Sequence, residues 1–104
     1  MLDVKAWLET VGEPVADTAF TDETPLPYIV FLDELQRGGG DMRNMMKTHS
    51  LTVERYSAVS EDNATLEALF DAQAIKYKRG ERQWLANEEC FMTPYYFDLI
   101  EREV

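Results

Sequence analysis

Val4, Trp7, Leu8 and Val11 recur at helical spacing, so residues 2–11 predict a short helix with one apolar stripe, and Gly12 stands where a C-terminal cap belongs. Asp3 suits the positive end of its dipole. Pro14 stops any continuation, and 15–21 then reads as an extended segment or strand. Pro25 and Pro27 cannot donate to a ladder, which puts them at the mouth of the strand that opens with the apolar run Tyr28–Leu32. That run, apolar on both alternations, predicts a strand at the middle of the core with both faces at least partly covered.

Gly38-Gly39-Gly40 breaks the pattern, and Met42, Met45 and Met46 follow without a period, so 36–47 is expected to be a mobile loop between two strands. Alternation resumes over 49–59, with Leu51 and Val53 against Thr52 and Glu54. Cap-forming Ser60 to Asn63 precede Leu66, Leu69, Phe70 and Ala74 at helical spacing, predicting a second helix over 62–74. Residues 75–79 and 82–85 predict a hairpin turning at Gly80-Glu81. A last strand, 91–100, carries Pro94, which marks it as an edge strand or bends it.

With the hairpin taken as one β unit, these elements run α-β-β-loop-β-α-β-β. The expected fold class is α+β: a mostly antiparallel twisted sheet with two helices packed on one face. The 104 residues fit a single domain, and 45% apolar and 12% aromatic content is that of a chain able to build a core. No segment reaches the roughly 18 apolar residues of a membrane span. Met1–Lys5 includes an acid and lacks the pattern of a signal peptide, so a cytoplasmic protein is expected.

Charge changes the picture through its distribution. The net charge of −10 argues against direct nucleic-acid binding through phosphates. Residues 1–36 carry one lysine against eight acids, whereas Arg37, Arg43 and Lys47 face only Asp41 within 37–47. Lys76, Lys78, Arg79 and Arg82 face only Glu81 within 76–82. Two short basic segments thus interrupt an acidic chain. They are either solvated faces or one side of a head-to-tail contact between copies. The loop methionines, which repack easily against varied partners, suit either packing filler or an adaptable contact. The candidate interface residues are therefore Arg37, Gly38, Gly39, Gly40, Met42, Arg43, Met45, Met46, Lys47, Lys76, Lys78, Arg79 and Arg82.

Chemistry finds no foothold. The single histidine, His49, and the single cysteine, Cys90, do not make a zinc set, and nothing local pairs them as nucleophile and base. Cys90 is expected to be a buried thiol in a strand. Vicinal carboxylates such as Asp33-Glu34 and Glu88-Glu89 point to opposite faces of a strand and do not converge. The glycine triplet lacks the Gly-Lys-Ser/Thr of a phosphate loop. No catalytic, cofactor or metal residue is assigned, and no enzyme is expected.

The Trp7-Leu8 helix, Gly12-Glu13-Pro14-Val15-Ala16, Pro27-Tyr28-Ile29-Val30, the strand Leu51–Tyr56 before the Leu66–Ile75 helix, and a closing strand ending Glu103-Val104 follow one another in an order that resembles small phage proteins of the head-to-tail junction, of the tail-terminator or tail-completion type. The resemblance spans most of the chain, with 38–46 its least transferable part. It implies a structural virion protein without chemistry that assembles into a hexameric ring, caps the tail tube and docks to the head connector. Its partners would be further copies, the tail-tube protein and the connector, first in host cytoplasm and then in the virion. Composition alone also admits a small acidic regulator that mimics nucleic-acid phosphates, or a generic interaction domain.

Overall fold

The computed structural model describes residues 3–37 and 46–102. The chain runs α1 (Val4–Glu9), β1 (Val15–Asp17), β2 (Tyr28–Arg37), β3 (Met46–Ser57), α2 (Ala64–Ala72), β4 (Lys78–Arg79), β5 (Gln83–Leu85) and β6 (Cys90–Arg102). The strands form one mixed sheet in the order β1-β2-β3-β6-β4, with β5 also paired to β6. An α+β fold is what the alternation predicted.

Both helices start on side-chain caps. The Asp3 carboxylate accepts from the Ala6 N–H at 3.1 Å, and the Asn63 side-chain oxygen accepts from the Leu66 N–H at 3.1 Å. α1 buries Val4, Trp7 and Leu8, while α2 buries Leu66 and Phe70. These side chains meet Ile29 and Phe31 of β2, Leu51 and Val53 of β3, and Tyr95 and Phe97 of β6 in one core. Strand residues of one parity share a face, so both helices cover the same side of the sheet. Phe70 sits at the centre, 5.0 Å from Phe97, 5.5 Å from Tyr95 and 5.8 Å from Trp7 between ring centroids. Each aromatic or leucine side chain so buried contributes about 1.5–3 kcal/mol by leaving water.

Among the described residues, the opposite face is covered only at one end. There Val30 and Cys90 are buried, and the segment before β2 lays Phe20 against Tyr28, whose ring stacks on Tyr56 at 4.9 Å. As expected, Cys90 is a buried free thiol, and burial pushes its pKa up.

The sheet is mostly antiparallel, as expected, and its one parallel pair among the described strands is β1 with β2, because the segment of 18–27 carries the chain back to the same end of the sheet before β2 begins. Three expectations are corrected. β3 is the central strand, flanked by β2 and β6, although β2 carries the longer apolar run. The segments β4 and β5 do not pair as a hairpin: each adds separately to β6, at Tyr95–Tyr96 and Cys90–Met92. Pro94 lies inside the sheet instead of at its edge. Its carbonyl accepts from the Gly80 N–H at 2.9 Å, so its missing donor faces the gap between β4 and β5, where no ladder bond is interrupted.

The ends of the expected 36–47 loop lie in strands, since β2 extends through Arg37 and β3 begins at Met46. Gly38, Gly39, Gly40, Met42, Arg43 and Met45 lie outside the described residues.

Candidate assembly surfaces

Ladder hydrogen bonds fix which backbone groups each outer strand leaves over. On β2, Ile29 N–H donates to the Pro14 carbonyl and the Phe31 carbonyl accepts from Thr18 N–H, so odd-numbered residues of β2 point away from β3. β1 and Thr18 cover this side only as far as Phe31. Beyond it, the main-chain groups of Asp33 and Leu35 face outward with no ladder partner among the described residues.

The other side of the sheet repeats the situation. The Pro94 carbonyl points toward β4, so even-numbered residues of β6 face away from β3. β5 and β4 pair with β6 as far as Tyr96. From there Asp98 and Ile100 present main-chain groups that have no ladder partner among the described residues. The β2-β3 and β3-β6 registers run without a bulge, so this three-stranded arm has two long, regular edges facing in opposite directions.

The chemistry along the two edges differs. Asp17 and Glu34 are exposed on the β2 side. A groove of about 750 Å³ runs along the β6 side, with residues 73–78 as one wall and 96–100 as the other. Lys76 and Lys78 are exposed on that wall, and Asp98 is the one acid in it. Apolar side chains stand out on the arm, notably Leu35 at 48% and Ile100 at 60% exposure.

The remaining cations of 76–82 are engaged within the chain. Arg79 and Arg82 both pair with Asp62, just before α2, and Arg82 Nε also donates to Thr93 Oγ1 at 2.9 Å. Hydrogen bonds from Arg79 and then Arg82 hold the Asp62 carboxyl below its usual range, and Asp62 raises the Arg79 guanidinium in return. Beside them the Tyr95 hydroxyl donates to Glu67 at 2.7 Å. Of the other expected interface residues, Arg37 and Lys47 stand opposite one another across β2 and β3, and Met46 opens β3 opposite Arg102. They lie at the tip of the arm. Sequence reasoning missed the edges themselves, although the alternation of residues 49–57 and 91–100 already implied strands longer than β1, β4 and β5 cover.

The structure holds the two single-residue candidates for chemistry, His49 and Cys90, far apart. His49, at 8% exposure, holds both carboxylate oxygens of Asp33 within 2.9 Å on the helix-covered face. Cys90 is on the other face, nine residues along β6 from the position opposite His49, or about 30 Å at about 3.3 Å per residue. Among the described residues no group of three or more His, Cys, Asp or Glu is placed to hold a metal ion, and no helix is long and apolar enough to cross a membrane.

No family model and no curated protein matches the sequence. A solved structure of a protein known only by a serial designation superimposes with a TM-score of 0.57, covering 97% of this chain and 88% of that one at 12% identity. At that identity the likeness establishes the fold alone.

Proposed function

We propose that this chain is a structural protein of the phage head-to-tail junction, of tail-terminator type, that works by assembling with copies of itself into a ring. The ring caps the tail tube and offers a docking face to the head connector, and the protein performs no catalysis. It is assembled in the host cytoplasm and carried into the virion.

One observation carries the reading: a single sheet ends in two edges that face opposite ways and have no ladder partner among the described residues. Two different edges on one subunit suit a heterologous contact, in which each copy offers one edge to the neighbour before it and the other to the neighbour after it. Such contacts close into a ring when the rotation per copy allows. The order of sequence segments that resembles junction proteins supports the same reading, as does the sign difference between the acidic β2 side and the lysines beside β6.

Negative-stain electron microscopy of the purified chain, alone and with a polymerising tail-tube protein, tests it. The expected result is small closed rings that cap tubes and limit their length. Particles without rings, together with tubes of unaltered length, would refute it.

A further inference from the structure

We infer that neighbouring copies join by strand addition, the β2 edge at Asp33 and Leu35 of one copy pairing with the β6 edge at Asp98 and Ile100 of the next. This rests on the self-assembly proposed above and names the atoms that perform it.

Backbone accounting is the first argument. Exposed edges in natural sheets are commonly short, bulged, or interrupted by proline, which discourages pairing with other chains. Here residues 32–37 of β2 and 97–102 of β6 contain no proline, and both run in unbroken register with β3. On each, alternate residues aim an N–H and a C=O outward. A strand laid along such an edge gains main-chain hydrogen bonds in series, the basis of recognition by strand addition.

Shape and charge then select the occupant. The β6 edge forms one wall of a groove whose other wall is residues 73–78, leaving room for one extended segment beside it. Lys76 and Lys78 on that wall meet an acidic incoming strand favourably, and the β2 side of this same chain, with Asp17 and Glu34, is acidic. The exposed Leu35 and Ile100 leave water when the edges meet. A second copy therefore supplies main-chain partners, charge and apolar surface together.

Proline substitution tests the pairing at positions where the subunit's own ladder does not use the N–H. Leu35→Pro disables the β2 edge and leaves the β6 edge intact, while Ile100→Pro does the reverse. Sedimentation velocity is expected to show the wild-type chain assembling and each variant weakened at least about tenfold in self-association, equivalent to about 1.4 kcal/mol. Mixing the two variants provides the control for folding: each retains the edge the other lacks, so the mixture should form one-to-one heterodimers and nothing larger. If the wild type assembles and both variants assemble equally well, strand addition at these edges is wrong while the ring reading stands. A mixture that stays monomeric likewise overturns it. If the wild type itself does not associate, the ring reading fails and this pairing fails with it.

Discussion

The Arg55 guanidinium grips the Glu13 carboxylate with two hydrogen bonds, Nε to Oε1 at 3.2 Å and Nη2 to Oε2 at 3.0 Å, across 42 residues of sequence. Arg55 projects from β3 onto the helix-covered face, where its side chain is 7% exposed and that of Glu13 15%. Asn63 Nδ2 donates to the same carboxylate at 3.3 Å while the Asn63 oxygen caps α2. One carboxylate thus ties the α1-β1 turn and the start of α2 to the central strand. Removing one member of a buried pair leaves the other charge uncompensated, at a cost of about 3–5 kcal/mol. Glu13→Ala leaves Arg55 only its longer contact with the exposed Glu61 carboxylate at 3.7 Å, and is expected to lose about 3 kcal/mol, the low end of that range, in urea unfolding. Arg55→Met, which replaces the charge with apolar volume, leaves Glu13 its hydrogen bond from Asn63 at a more exposed site, and should lose less.

Gly80 is required by crowding. A Cβ there would stand 2.8 Å from Pro94 Cγ and 2.9 Å from Tyr96 Cε2. The proline ring is fixed by the interior strand, so Gly80→Ala must push β4 away from β6. The expected cost is about 1–3 kcal/mol. Thermal unfolding should show it as a lowered Tm, and loss of the Gly80 N–H bond to Pro94 should appear as faster amide exchange at Gly80.

Two tyrosines set an alkaline limit. Burial first, then the hydrogen bond to Glu67 and its charge, push the Tyr95 hydroxyl well above the usual 10.0, and burial with Glu54 does the same for Tyr56. Since the folded pKa values are raised, the stabilisation is fully present below pH 10.0 and is lost as pH rises from there through the folded values, because the unfolded chain releases protons that the folded chain keeps. Asp62 acts in the opposite direction: its lowered pKa gives a contribution present above 3.8 and lost as pH falls below it. Urea midpoints measured from neutral pH to above 10.0 should decline at the alkaline end, and Tyr95→Phe should flatten that decline.

On the proposed assembly, the basic segment divides into cations that hold the fold and cations that meet a neighbouring copy. Arg79→Ala breaks a pair with Asp62 that joins β4 to the approach of α2, and should lower the unfolding midpoint only slightly, because the pair is exposed. Lys76→Glu and Lys78→Glu touch only the groove wall. They should leave the unfolding midpoint within about 0.5 kcal/mol of wild type, yet weaken self-association, most strongly at low salt. Equal association for the lysine variants and wild type at low salt would contradict this division.

Much of the architecture was legible because amphipathic spacing demands it. Leu51 and Val53 alternate against Thr52 and Glu54, and Asn63 precedes Leu66 and Phe70 at cap and helix positions, so β3 and α2 follow from local pattern. β4 and β5 are two and three residues long, too short for any period to say whether they pair with one another or with β6. The parallel pairing of Val15–Asp17 depends on where the segment of 18–27 returns the chain, which composition does not encode. Arg55 sits on the buried alternation of β3 and so announced the need for an acid. Choosing Glu13 among 20 acids required the fold. The open edges were hidden for a related reason: an edge is defined by which strands stop short, and β1 stops at the positive φ of Thr18 while β4 first meets β6 at Lys78, opposite Tyr96.

Whether copies of this chain join one another is read from native mass spectrometry of the wild-type chain over a wide concentration range. The account predicts one closed oligomer, hexameric if the family resemblance extends to ring number, in exchange with monomer and lacking a ladder of intermediates. A chain that remains strictly monomeric at every concentration would contradict it.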